Sequence, residues 1–208
     1  MNETNSHYPL DFKTDYPTCL TIDDLAEMTH TDGDPWQLSH VHRLLKLIPV
    51  IGEGMAYDET AVTIATYLHD WGAYPRYQQP GVEHALRSRQ VAETLILPRM
   101  DLVETAVTII LETIEYHDYR DFRPVVTTEA LLLREADFLD FLGIIGLVRE
   151  VNWGGKNLVH ICQRMMARRE KIQDRFTLPI ARQMANVRLA RLEQCLAWLQ
   201  EESFDYTQ

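Results

Sequence analysis

The chain has 208 residues, 46% of them hydrophobic and 25% charged, which fits one folded domain with a core large enough to need no disulfide staples. Its 20 Lys and Arg stand against 31 Asp and Glu, and the net charge of -11 argues against general binding to nucleic acid or an anionic membrane. Cys19, Cys162 and Cys195 lie far apart with no CxxC, which argues against a thiolate zinc site or a disulfide scaffold and points to reduced thiols in a cytoplasmic protein. No apolar run approaches 18 residues and residues 1–16 hold no apolar signal core, so neither export nor a membrane span is expected.

Residues 1–18, with Pro9 and Pro17, read as an irregular lead-in. A short helix follows over 21–28, capped by Thr21 or Asp23, and 31–35 form a turn. From Trp36 the apolar residues Leu38, Val41, Leu44, Leu45 and Ile48 recur at helical spacing, until Pro49 and Gly52 end the pattern. The next helix runs from a cap at Asp58 to His69. A loop with Gly72, Pro75 and Pro80 leads to another that starts near Val82 and stops at Pro98. Asp101, with Glu104 three residues on, predicts a capping box opening a helix that ends at His117. After a polar loop over 118–126, Thr127 or Thr128 caps a helix from Glu129 to Leu142, closed by Gly143. Residues 144–152 continue as helix, Gly154-Gly155 break it, and two helices follow at about 157–174 and 179–202. No segment alternates for long with period two, so the class is all-α. The expected organisation is a lead-in with a short helix (1–33), a helical core (34–152) and C-terminal helices packed on it (153–208). Between Arg164 and Arg191 lie eight basic residues and two acidic ones, an arm that could grip RNA or phosphates but reads first as a solvated face or one packed on the acidic body.

Residues able to bind a metal fall at helix ends. His40 opens one helix, His69-Asp70 end the next, His84 opens the one after, and His117 ends its successor. Asp137 sits mid-helix in an apolar setting, Ala136-Asp137-Phe138-Leu139, where an unpaired carboxylate would be costly. In an antiparallel bundle the end of one helix and the start of the next share a pole, so His69-Asp70 and His84 are neighbours by topology. Neutral imidazole and carboxylate are standard ligands for divalent metals. A single histidine at a helix end is ordinary; the joint pattern is what points to a cation. His7, His30, His42 and His160 stand outside it.

The order of these residues resembles the HD-domain superfamily of metal-dependent phosphohydrolases, over about residues 34–150. His40-Val41-His42-Arg43 is similar to that family's opening His-x-x-Arg, Leu68-His69-Asp70 to its naming motif, and Glu135-Ala136-Asp137-Phe138-Leu139-Asp140 to its closing helix. The resemblance implies an HD-like helical bundle in which His40, His69, Asp70 and Asp137 hold a first divalent ion. His84 and His117 match the histidine segments of binuclear members and imply a second. It leaves Mn, Fe, Co, Ni, Mg and Zn open. The chain lacks the acidic pair that follows the motif in ppGpp hydrolases, reading Trp71-Gly72-Ala73-Tyr74-Pro75-Arg76 there, and lacks the Gly-Tyr-Pro of cyclic-di-GMP phosphodiesterases.

The function implied is hydrolysis of a phosphoester or phosphoanhydride bond in a small phosphorylated metabolite or nucleotide. Asp70 and Arg43 are the expected catalytic residues. Arg76, Arg87, Arg120 and Arg123 are the expected phosphate clamps, because a guanidinium fork donates two parallel hydrogen bonds. Two alternatives share the ligand set: a di-iron HD-type oxygenase, and a non-catalytic regulatory module that binds metal or nucleotide. The helices after residue 156 could cover the pocket or pair two copies as a homodimer.

Overall fold

Helix boundaries follow capping chemistry along most of the chain. The computed structural model describes residues 17–154 and 157–204, and nearly all of the expected lead-in, with Gly155 of the expected break, lies outside them. Helix α1 (Ile22–Asp32) opens on a full capping box between Thr21 and Asp24. Helices α2 (Pro35–Ile51) and α3 (Glu59–Leu68) begin where Asp34 and Asp58 accept the backbone N–H groups of Gln37 and Ala61. Then come α4 (His84–Val91), α5 (Glu104–Glu115), α6 (Thr128–Asp140), α7 (Gly143–Gly154), α8 (Leu158–Ile172) and α9 (Pro179–Glu202). The described residues contain no strand, in keeping with the all-α expectation.

Helix α2 ends at Ile51, just before Gly52, and keeps Pro49 in its last turn, where the missing N–H removes one bond and leaves the rest of the helix intact. Two boundaries differ from the sequence reading. The helix opened by His84 ends at Val91 and passes into a π-helical turn over Ala92–Ile96 and a 3-10 turn over Leu97–Arg99. Asp101 caps nothing: α5 starts from Val103 with no side-chain cap, and Leu102 packs against the core in the non-helical segment before it.

The main core is built from α2, α3, α5 and α6, with α3 against α5, α2 against α6 and α5 against α6. Leu44, Ile64, Leu68, Ile110, Ile114, Leu132 and Phe138 are its fully buried members. Helix α1 adds Leu25 and Met28 to the same core, and α9 adds Ala181 and Ala185. Glu135 on α6 fastens the start of α9. Its buried carboxylate accepts from the backbone N–H and hydroxyl of Thr177, each at 2.7 Å, and from the Leu178 N–H. A smaller cluster, Ile161, Met165 and Leu192, joins α8 to α9. No described helix is long and apolar enough to cross a membrane.

The turn after α3 is the most constrained piece of backbone. Trp71 is fully buried, stacks on Tyr77 with centroids 5.4 Å apart, and donates to Thr29 on α1. Gly72 lies under the first turn of α4, where its N–H reaches the Ser88 hydroxyl at 2.8 Å. A Cβ there would sit 2.3 Å from the His84 carbonyl oxygen and 2.5 Å from the Ser88 nitrogen. Only the absence of a side chain lets α4 approach the end of α3 this closely. Gly72→Ala is therefore expected to destabilise the fold by about 1–3 kcal/mol, the usual cost of overpacking, as read by urea unfolding. An unchanged midpoint would contradict this packing.

Candidate metal centre

Three helix ends and two helix interiors meet beside this turn. His69 closes α3, and the chain then leaves helical geometry at Asp70 (φ -103, ψ 2). That break lets two adjacent side chains, which on a continuous helix would point about 100° apart, face one place. His84 is the first residue of α4, His117 follows the C-cap of α5, and His40 and Asp137 project from α2 and α6.

Asp70 divides the cluster. Its Oδ2 lies 3.4 Å from His69 Nε2 and 3.9 Å from His40 Nε2, while its Oδ1 lies 3.4 Å from His84 Nε2 and 3.6 Å from His117 Nε2. Asp137 joins the first pair, with Oδ1 3.3 Å from His40 Nε2. The Nε2 atoms face each other at 3.2 Å for His40 and His69 and 3.1 Å for His84 and His117.

Hydrogen bonding settles what most of these nitrogens present. His69 Nδ1 lies 2.7 Å from the Thr66 carbonyl and His117 Nδ1 2.6 Å from the Ile114 carbonyl, acceptors that require the hydrogen on Nδ1. His40 Nδ1 lies 2.8 Å from the Asp140 carboxylate, with the same consequence. In their neutral form these three rings turn Nε2 lone pairs toward Asp70 and Asp137. Asp137 Oδ1 is buried with no hydrogen-bond partner. Converging lone pairs and a buried, orphaned carboxylate oxygen fit a divalent cation. His40, His69 and Asp137 form one group whose ligand atoms all lie within 4.8 Å of one another, and His69, Asp70 and His117 form another. His84 differs. Arg120 donates to its Nδ1 at 2.8 Å, so its Nε2 carries the hydrogen in the neutral ring. Asp118 Oδ2, 3.4 Å from that Nδ1, is the acceptor that would reverse the tautomer if Arg120 moved aside.

The electrostatics follow from burial against charge. Burial, with the neighbouring His117 and His40, takes the His69 imidazole down to about 4 against the pull of Asp70. Burial would also lower His117, but the bond to Asp70, the Asp70 and Asp137 charges and the Ile114 carbonyl together outweigh it and hold the ring up to about 9. For His40, burial and the Arg149 charge are outweighed by Asp137 and Asp140, which raise it. Burial would raise Asp70, yet the histidines around it keep its carboxyl well below the usual range.

A second layer holds the first. Asp140, 1% exposed, accepts from His40 Nδ1, from Arg43 Nε and Nη2 at 2.7 and 2.8 Å, and from Arg149 Nη1 at 2.8 Å. Burial works against its ionised form, but Arg43 and His40 hold its pKa far down. Arg43 is therefore bound through both arms of its fork to a carboxylate that orients His40.

The expected clamps separate. Arg76 pairs with Asp32 of α1, and buried Arg87 donates to the Tyr77 carbonyl; neither lines the cavity, since both brace the loop after Gly72. Arg123 is held by Asp121 and Glu115 in a neighbouring groove. Arg120 does line the cavity beside Asp70, His84, His117 and Asp137, a space of about 280 Å³. The other walls come from Ala73, Asp118, Tyr119, Phe141 and Trp153, to which the sequence reading gave no site role, and from Arg164 and Arg168. Asp118 follows a candidate ligand directly. Asp140 shares a helix face with Asp137, three residues on, and that spacing was the available signal. Arg164 and Arg168 belong to the basic stretch read as a solvated or packed face.

No protein-family model matches the sequence, and no curated protein matches it. Solved structures do. A predicted HD superfamily hydrolase from an uncultured Thermotogales bacterium superposes with TM-score 0.61 at 23% identity, over 87% of this chain and 90% of that one. An HD-superfamily hydrolase from Bacillus thuringiensis gives 0.60 at 20%, over 87% and 93%. Bacillus subtilis YpgQ in complex with ADP gives 0.64 at 18%, over 87% and 94%. The chain has the HD-domain fold. In HD-domain terms, the His69-Asp70 pair lies at the helix break described above, and α7 and α8 contribute Trp153, Arg164 and Arg168 to the cavity wall.

Asp140→Asn is expected to weaken divalent-metal affinity about 10- to 100-fold, the usual effect of removing a carboxylate that orients a ligating histidine. Metal titration of the folded variant measures it, and wild-type affinity would refute the role given to Asp140.

Proposed function

We propose that this protein is a metal-dependent hydrolase of a phosphoester or phosphoanhydride bond in a small phosphorylated metabolite or nucleotide. One observation carries the reading: Asp70 turns one carboxylate oxygen toward each of two histidine pairs on the wall of a cavity. In this reading His40, His69, Asp70 and Asp137 hold one divalent ion, and Asp70, His84 and His117 hold a second. Bound there, the metal would supply acidity for a water molecule and positive charge for a phosphoryl oxygen. The chain's own groups do the rest. Asp140, held by Arg43 and Arg149, keeps the His40 lone pair aimed at the site. The Thr66 and Ile114 carbonyls do the same for His69 and His117. Arg120 stands at the cavity edge, held by Asp118 through Nε and Nη2 and paired with Glu83 through Nη1, so that it keeps His84 in place. Arg43 serves as a positioning residue, since both its arms are spent on Asp140. Fold-level likeness to HD-superfamily hydrolases supports hydrolysis, and the ADP complex of YpgQ supports a nucleotide among the substrates to try.

The test is a phosphometabolite panel with the purified chain, each candidate metal supplied in turn. Phosphate release is expected to need metal, to stop with chelator and to proceed without oxygen. His69→Ala and Asp70→Ala are expected to lose metal and turnover together, and His84→Ala to lose about half the metal, since ligands in so small a set are rarely replaced. Full metal content and turnover in His69→Ala, or turnover that requires oxygen, would overturn the reading.

A further inference from the structure

Arg164 and Arg168 bring two guanidiniums from α8 to the cavity wall. Buried Glu150 on α7 is shared by Arg164 Nε at 2.5 Å and Arg168 Nη1 at 2.8 Å, so one carboxylate answers two cations there. Behind the wall, Asp140 on α6 is shared in the same way by Arg43 and Arg149.

Arg168 stands out among them. It is 6% exposed, yet it borders the cavity. Its Nη1 faces Glu150 at an angle that makes an ion pair but no hydrogen bond, and its Nε also has no hydrogen-bond partner. Leaving donors of a buried cation unmatched is costly. The guanidinium is held over the Phe141 ring at 4.5 Å and near Tyr119 at 5.8 Å, and Arg149 lies 4.4 Å from the same Phe141 centroid. Stacking fixes the guanidinium plane at the cavity wall, so little freedom is lost on binding. Phe141, the C-cap of α6, follows Asp137 by four residues, roughly 6 Å along the helix axis. The stacked guanidinium is thereby set apart from the His/Asp cluster, next to it in one cavity.

We propose that Arg168, with Arg164, binds a second anionic group of the ligand, so that the site takes small molecules carrying two linked phosphate-type groups. One group faces the His/Asp cluster and the other meets α8. This rests on the metal-dependent reading above and adds the class of ligand to it.

The probes are imidodiphosphate, a stand-in for pyrophosphate that resists hydrolysis, and inorganic phosphate. Each is titrated calorimetrically into the manganese-loaded full chain. The wild type is expected to prefer imidodiphosphate by about ten-fold or more, the worth of one charge-assisted hydrogen bond. Arg168→Met is expected to lose that preference while keeping its metal content and its affinity for phosphate. Because that change strands Glu150, Arg168→Met with Glu150→Gln is measured beside it, with thermal unfolding to establish that it folds, and the same loss is expected. Equal affinities in the wild type, or a preference retained in a folded variant, would overturn the proposal. A wild type that takes up no metal would instead refute the reading beneath it, and metal analysis tells the two failures apart.

Discussion

Two oxygens of one carboxylate organise the centre of this molecule. Asp70 faces His40 and His69 with one oxygen and His84 and His117 with the other, while Asp137 approaches from α6. Removing two carboxylates from water costs several kcal/mol each unless positive charge or donors answer them. The imidazoles answer only in part, because three of the four present lone pairs rather than hydrogens. In the absence of an ion a proton is the available substitute, and the elevated pKa of His117 expresses that demand. A cation meets the demand of all the groups at once, and so the arrangement favours metal over any merely structural use of these residues.

The rest of the fold serves to bring those groups together and keep them there. The break after His69 needs an anchored turn, which Trp71 provides by filling space between α1 and the following loop. The same turn needs a residue without a side chain where α4 crosses it, and Gly72 meets that need. Farther out, Arg43 and Arg149 hold Asp140, which holds His40. Arg149 also touches Phe141 and Trp153, so the layer that orients a ligand is continuous with the wall that shapes the cavity.

How much was legible in the sequence depended on the range of the signal. Helical periodicity and local caps such as Thr21, Asp34 and Asp58 are short-range, and they locate most helices. The histidines could be grouped because topology alone puts successive helix ends at one pole. Asp137 could be added because a carboxylate in an apolar helix needs a partner. What could not be read was long-range pairing. An arginine has the same letter whether it is spent on Asp140, braced on a loop carbonyl or facing a cavity. Arg43, Arg76, Arg87 and Arg123 proved committed to other partners, while Arg164 and Arg168 came into the site from helices far along the chain. The start of α5 escaped for a similar reason: the capping-box spacing of Asp101 and Glu104 is local, but the packing of Leu102 on the core overrides it.

The most direct test of the account is anomalous diffraction from crystals of this protein soaked in manganese. The account predicts peaks on either side of the Asp70 carboxylate, within about 2.0–2.2 Å of the facing histidine Nε2 atoms, the distances usual for such ligands. Manganese bound elsewhere, with no density between Asp70 and His40, His69 and Asp137, would contradict it.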